Sequence, residues 1–309
     1  MWSYFDTHCD TLTKIYKNNK YTLSDEALAV NYKTLNCNSP SVQCFSFFNE
    51  GDFLLEDFYK ASKMLKSICQ NDGKMLFATK ASDILKAVQE NKICAILTGE
   101  GLGNTSDFKA EDVELLKEWG YSILGLVWNY DNKLGGSCHG GGEGLTAEGK
   151  KTLHIMEKKN IIADVSHLSK KSFYDTFDNF CKPIIASHSN SAVVCKHKRN
   201  LDKEQILTII KQKGTIGLTF YAPFVGRKKN GFSAFFEHVD SILELGGDEN
   251  ISIGSDFDGM DEPIDNIESA KDVSNLFDTM LSNNYSKKQI NDISFNNIYK
   301  IFCKYELFK

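Results

Sequence analysis

The sequence predicts an α/β chain closed as a (β/α)8 TIM barrel with extra C-terminal helices. Three observations predict it. Short apolar runs alternate with longer amphipathic stretches along nearly the whole chain. That alternation argues for parallel strands joined by crossover helices. Eight such units fit within 309 residues, as a closed barrel requires. Several of the runs end in His, Asp or Glu, and barrels of this type carry their sites at the C-terminal strand ends. An open, doubly wound sheet is the rival, because alternation alone does not show closure.

The expected strands are Ser3–His8, Val42–Phe48, Ile93–Thr98, Ser122–Val127, Ile161–Ser166, Pro183–Ser187, Thr215–Phe220 and Ile251–Ser255. Helical patterns lie between them at Phe53–Cys69, Ala81–Glu90, Ala110–Gly120, Thr146–Asn160, Lys170–Phe180, Lys203–Lys213 and Ser233–Gly246. Gly120, Asn160 and Gly246 read as C-terminal stops. Ile267–Met280, Lys287–Asn297 and Ile298–Tyr305 follow the eighth strand. They read as helices packed outside the barrel or over one end. With four prolines and no linker, repeat or low-complexity tract, residues 1–309 read as one domain. The glycine-rich stretch Gly135–Gly144 implies a mobile loop or a close backbone approach. It lacks the Lys-Ser/Thr of a phosphate loop, so a lid or a structural turn is expected.

Composition narrows the function. With 41% hydrophobic and 25% charged residues and a net charge of −5, nothing points to nucleic acid or an anionic membrane surface. No apolar run is long enough to span a bilayer, and the first residues lack a signal-peptide pattern. Nine cysteines without a CxxC pair fit reduced thiols, and a cytoplasmic location is expected. A homodimer is left open.

The candidate chemistry begins at Asp6-Thr7-His8-Cys9-Asp10. Alternate side chains of an extended chain share a face, so Asp6, His8 and Asp10 face one way, and Thr7 and Cys9 the other. His8 and Asp10 then form a partial zinc ligand set. The competing reading of Asp10 is an N-cap for the helical pattern that follows it, and Cys9 reads as packing. Glu100, His167, His188 and Asp256 each follow another expected strand. Each has an ordinary alternative: a solvated carboxylate, a helix cap, a hydrogen-bonded turn and an Asx-turn. Their recurrence is harder to explain that way, since clustered carboxylates and imidazoles need a cation between them. His154 and His238 read as ordinary helix residues, and His197 is the runner-up to His188 as a ligand.

These pieces, with Gly99-Glu100-Gly101, Asp164-Val165-Ser166-His167, Ser187-His188-Ser189, Arg199-Asn200 and Gly254-Ser255-Asp256-Phe257-Asp258-Gly259, resemble the membrane dipeptidase family in its order. These are binuclear zinc peptidases of the renal-dipeptidase type among the amidohydrolase-like barrels. The resemblance implies two zinc ions per chain. His8, Asp10 and Glu100 would hold one, and Glu100, His167 and His188 the other, with Glu100 bridging and a hydroxide between the metals as nucleophile. It implies Asp256 as the residue that handles the substrate amine and the proton, so that Asp256 and Glu100 are the expected catalytic residues. It also implies Arg199 as the clamp on the substrate carboxylate, where the residues alone suggest a surface arginine in a basic run. Two departures stand out. Trp128 occupies the place where mammalian members have a His that contacts the scissile region, and His139 is the nearest candidate to replace it, unless it is merely an exposed loop residue. The mammalian members are also secreted and lipid-anchored, for which this chain shows neither pattern. The expected function is a zinc dipeptidase acting on free dipeptides. The alternatives are a binuclear amidohydrolase of another small amide, lactam or N-acyl amino acid, and a non-catalytic peptide-binding barrel.

Overall fold

The computed structural model describes residues 2–38, 40–71 and 73–308. Among them, nine strands form: β1 (Tyr4–Cys9), β2 (Ser41–Phe48), β3 (Met75–Ala78), β4 (Ile93–Glu100), β5 (Tyr121–Gly125), β6 (Ile162–Asp164), β7 (Ile185–Ala186), β8 (Thr215–Leu218) and β9 (Ile251–Ile253). All pairings between them are parallel. Eight strands close a ring in the order β1, β2, β4, β5, β6, β7, β8, β9 and back to β1. The open-sheet rival is thereby excluded. β3 is the strand absent from the expected set. It is four residues long and pairs with Ile93–Ile96 on β4, while β5 pairs with Leu97–Gly99. Both lie opposite β2, so β3 and β5 share one edge of β4. A run that short carries too little periodicity to separate strand from loop.

The expected helices form where the apolar period of 3.6 residues predicts them. In the helix Lys203–Lys211, for example, Gln205, Ile206 and Ile209 are buried, and Asp202 and Gln205 close its N-terminus as a capping box. The stops also hold: Gly120, Asn160 and Gly246 all have positive φ. The last helical run crosses the N-terminal end of the barrel. Asn297 donates to the Ile251 carbonyl at 2.9 Å and Tyr305 Oη to the Pro183 carbonyl at 2.9 Å. Phe302 and Phe295 pack on Phe5, with ring centroids 5.6 and 5.7 Å away. One end of the barrel is thus plugged, and the C-terminal strand ends face the open mouth.

Several expected strands run further than the ladders do. β5 to β9 stop at Gly125, Asp164, Ala186, Leu218 and Ile253, and the residues beyond leave the sheet toward the mouth. β4 does the opposite and continues to Glu100, which makes that carboxylate part of a rigid strand. β1 carries a register shift between Asp6 and Cys9. Strict alternation therefore fails there. His8 and Asp10 converge, but the Asp6 carboxylate turns to other partners. It accepts from Tyr4 Oη at 2.7 Å, Ser255 Oγ at 2.6 Å and Ser255 N at 2.8 Å. This buried clamp ties β1 to the end of β9, where the two strands share only one register pair, Asp6 with Ile253.

Replacing Asp6 by Ala is expected to destabilise the fold by on the order of 3 kcal/mol, because buried donors lose their acceptor. Urea unfolding checks it. A loss below about 1 kcal/mol, the net worth of one ordinary hydrogen bond, would mean that the seam does not depend on this clamp.

Candidate active site and metal centre

His8, Asp10, Glu100, His167, His188 and Asp256 converge at the open mouth. They share one cavity of ≈ 530 Å3 with Phe48, Trp128, Arg199 and Tyr221, among others. His8 Nε2 lies 3.5 Å from Asp10 Oδ1, 3.7 Å from Glu100 Oε2 and 3.8 Å from Asp256 Oδ1. Glu100 Oε1 lies 2.7 Å from His167 Nε2 and 3.9 Å from His188 Nε2. The two oxygens of Glu100 thus address different histidines, Oε2 toward His8 and Oε1 toward His167 and His188. The His8 and His188 rings stack, with centroids 3.8 Å apart.

Local backbone aims these groups. His167 and Asp256 both adopt the left-handed conformation, at φ 67° and 66°. That conformation costs a non-glycine residue on the order of 1–3 kcal/mol. Both residues sit just past a strand end, where the turn swings the side chain into the mouth. Asp10 stands at the N-cap position of the helix Thr11–Lys17, yet its side chain makes no cap hydrogen bond. The capping alternative for Asp10 is therefore excluded. Gly259 permits the close approach: a Cβ there would lie 2.1 Å from Asp10 Oδ2.

Burial dominates the electrostatics. It raises the pKa of Glu100 to about 7 and of Asp256 to about 8, and it raises Asp10 as well. It lowers His167 and His188 far below the usual imidazole range, helped by the Arg199 charge on both. Burial also works against the charge on His8, but Asp10, Glu100 and Asp256 outweigh it and push that ring up to about 10. Among the described residues two groups of side chains could hold a metal ion: His8 with His188 and Asp256, and Glu100 with His167 and His188. Asp10 Oδ1 and Glu100 Oε1 are buried without a hydrogen-bond partner. Orphaned carboxylate oxygens beside imidazole nitrogens are a donor set suited to zinc.

The sequence profile described as Membrane dipeptidase (Peptidase family M19) matches residues 2–309. The chain belongs to this family. An uncharacterized dipeptidase of Schizosaccharomyces pombe is 25% identical over 293 residues, covering 86% of this chain and 70% of the yeast protein. The crystal structure of dipeptidase AC, a metallopeptidase of family M19, superposes with a TM-score of 0.89 at 22% identity, covering 97% of this chain and 98% of that one. A Rhodobacter sphaeroides metallopeptidase, solved with a phosphinate mimic of the dipeptide L-Ala-D-Ala, gives 0.86 at 21% identity, with 97% and 98% covered. Membership makes the chain a peptide-bond hydrolase of the metallo-dipeptidase type with a metal cofactor. Despite the family's description, no helix among the described residues is long and apolar enough to cross a membrane.

Arg199 is buried, against the expectation from its basic run. It donates to Ser189 Oγ at 3.2 Å and to the His188 carbonyl at 3.1 Å, and its Nε has no hydrogen-bond partner. Among the described residues no carboxylate forms an ion pair with it. Phe224 lies under the guanidinium, 5.4 Å from centroid to Cζ. In the same cavity Trp128 stacks on Phe48 at 5.6 Å. His197 lines the rim against Phe224 and faces His139 at 6.3 Å, outside the ligand cluster. His139 is exposed on its loop and lines the rim of the same cavity. His238 is a satisfied core histidine, bonded to Ser191 N and the Val225 carbonyl. Sequence reading passed over Tyr221 and Asn129. No His, Asp or Glu marks the end of β8, where Tyr221 sits. Asn129, one residue past Trp128, carries an amide, which is not one of the His, Asp or Glu groups that mark the other strand ends.

The stretch Gly135–Gly144 is folded upon the protein's own groups. Asp131 accepts from Ser137 N and Gly141 N, both at 2.7 Å. Gly136 donates to Ser172 Oγ at 3.0 Å. A Cβ at Gly140 would meet Asp131 at 1.7 Å. These glycines serve close internal packing, the structural-turn alternative. Asp131→Ala is expected to speed amide exchange at Ser137 and Gly141 by roughly tenfold, as for one lost charged hydrogen bond. Hydrogen-exchange mass spectrometry reads it, and unchanged rates would mean that the turn holds without the carboxylate.

Proposed function

We propose that the chain is a zinc dipeptidase that hydrolyses the peptide bond of free dipeptides. One observation carries the reading: a buried guanidinium with no carboxylate partner faces the same cavity as the ligand cluster. His8, Asp10 and Glu100 would hold one zinc, and Glu100, His167 and His188 a second, with Glu100 shared. The two oxygens of Glu100, each toward different histidines, support that sharing. When bound, the ions supply Lewis acidity, activating water at neutral pH and polarising the carbonyl.

The chain's own groups do the rest. Arg199 receives the C-terminal carboxylate in a two-pronged bond, with Phe224 and Ser189 holding the guanidinium in place. Asp256 pairs with the substrate amine, and takes the proton from the attacking water to the leaving nitrogen. Trp128 with Phe48 forms an apolar wall for a substrate side chain. Its indole donates only through Nε1, so it supplies bulk more than hydrogen bonding. A relative in the family binds a mimic of a dipeptide, which supports the same substrate class here. All nine cysteines are free, which supports a reducing, cytoplasmic setting.

Metal analysis after zinc-replete preparation is expected to find two zinc ions per chain, and Glu100→Gln should weaken both, since a neutral amide bridges two cations poorly. Protein that takes up no divalent metal would overturn the proposal. A panel of dipeptides and their C-terminal amides tests the substrate. Amidation is expected to cost about 1.5–3 kcal/mol in kcat/KM, as for a lost charged hydrogen bond. Equal turnover of a dipeptide and its amide would remove Arg199 from the site.

A further inference from the structure

Two imidazoles of the cluster are gripped on the nitrogen that faces away from it. His188 Nδ1 lies 2.7 Å from Ser187 Oγ. That hydroxyl has one proton, and it donates it to Asp164 Oδ2. Asp164 in turn accepts from Ser166 N and Ser187 N, both at 2.9 Å. Toward His188, Ser187 therefore offers only a lone pair, and Nδ1 must carry the ring proton. His167 Nδ1 lies 3.0 Å from Asn129 Oδ1, an oxygen that can only accept. The ring proton of His167 must sit on Nδ1 too.

The consequence is on the other side of each ring. Both Nε2 atoms keep bare lone pairs, and they lie 2.9 Å apart. Glu100 Oε1 is 2.7 Å from one of them and has no donor of its own. With the ring protons held on Nδ1, neither Nε2 brings a proton to this meeting point. We infer that Asn129 and the Ser187–Asp164 pair are positioning residues, which lock His167 and His188 as Nδ1–H tautomers and so present both Nε2 lone pairs to one metal position. The inference rests on the proposed ligand roles of the two histidines, but the tautomers belong to the metal-free chain. Outer partners of this kind typically change metal affinity by about 10–100-fold. The two locks come from different elements, past β5 for Asn129, and the end of β6 and the residue after β7 for Asp164 and Ser187, so each can be released alone.

The test uses the full-length protein in two measurements. Long-range proton–nitrogen correlation spectra of the metal-free, nitrogen-15-labelled chain report the tautomer of each ring. Nδ1–H is expected for His167 and His188. Asn129→Leu should shift His167 alone and Ser187→Ala should shift His188 alone. Zinc titration against a competing chelator should then show about 10–100-fold weaker binding in both variants. Asn129→Asp keeps an acceptor oxygen and should bind zinc nearly as wild type does. Asn129 is only half-buried, so this pair remains informative even where Ser187→Ala folds poorly. An Nε2–H tautomer in either wild-type ring would overturn the inference, as would equal loss of affinity in Asn129→Leu and Asn129→Asp. Nδ1–H tautomers in a chain that takes up no zinc would overturn the zinc reading of the site and leave the tautomer lock standing.

Discussion

Lone pairs and negative charge crowded out of water are the constraint on which this structure depends. Asp10 and Glu100 are buried and Asp256 is partly so, beside His8, His167 and His188. Burial alone would drive the acids neutral and the imidazoles uncharged. The shifts of Glu100 to about 7 and Asp256 to about 8 express that cost. A multivalent cation removes it, because each acceptor then gains a partner. The ordinary alternatives for these residues, caps and Asx-turns, would not have gathered them at one mouth.

Holding such a cluster demands a backbone that cannot relax away from it. Glu100 ends a strand that pairs with β2 on one edge and with β5 on the other. His167 and Asp256 are kept in the left-handed region by the turns that carry them. Asp6, two residues before His8, is not a ligand-type neighbour of the site. It fastens β1 to Ser255, directly before Asp256. One buried carboxylate thus sets the spacing between two groups of the site that are 248 positions apart in sequence.

The cavity lining is mixed: Arg199, His139 and His197 share it with the aromatic pair of Trp128 and Phe48. For the substrate proposed above, Arg199 would meet the carboxylate and the Trp128–Phe48 pair an apolar side chain. The ordered glycine-rich turn adds to the rim, with Asp131 as its internal anchor.

Much of this was legible in the sequence because periodicity is a local property of the backbone. Eight of the nine strands, the crossover helices, and the strand-end positions of His8, Glu100, His167, His188 and Asp256 follow from local pattern, and the family follows from the order of short motifs. The four-residue strand Met75–Ala78 was too short to register. What the tertiary structure alone decided depends on partners far apart in the chain. Closure needed β2 to pair with β4. The burial of Arg199 needed Phe224 and Ser189, although its neighbours in sequence are basic. The turn at Gly135–Gly144 needed Asp131, and the tautomers of His167 and His188 needed Asn129, Ser187 and Asp164. A sequence names the groups that can bond, but which lone pair meets which proton is a matter of distance, and distance exists only once the chain has folded.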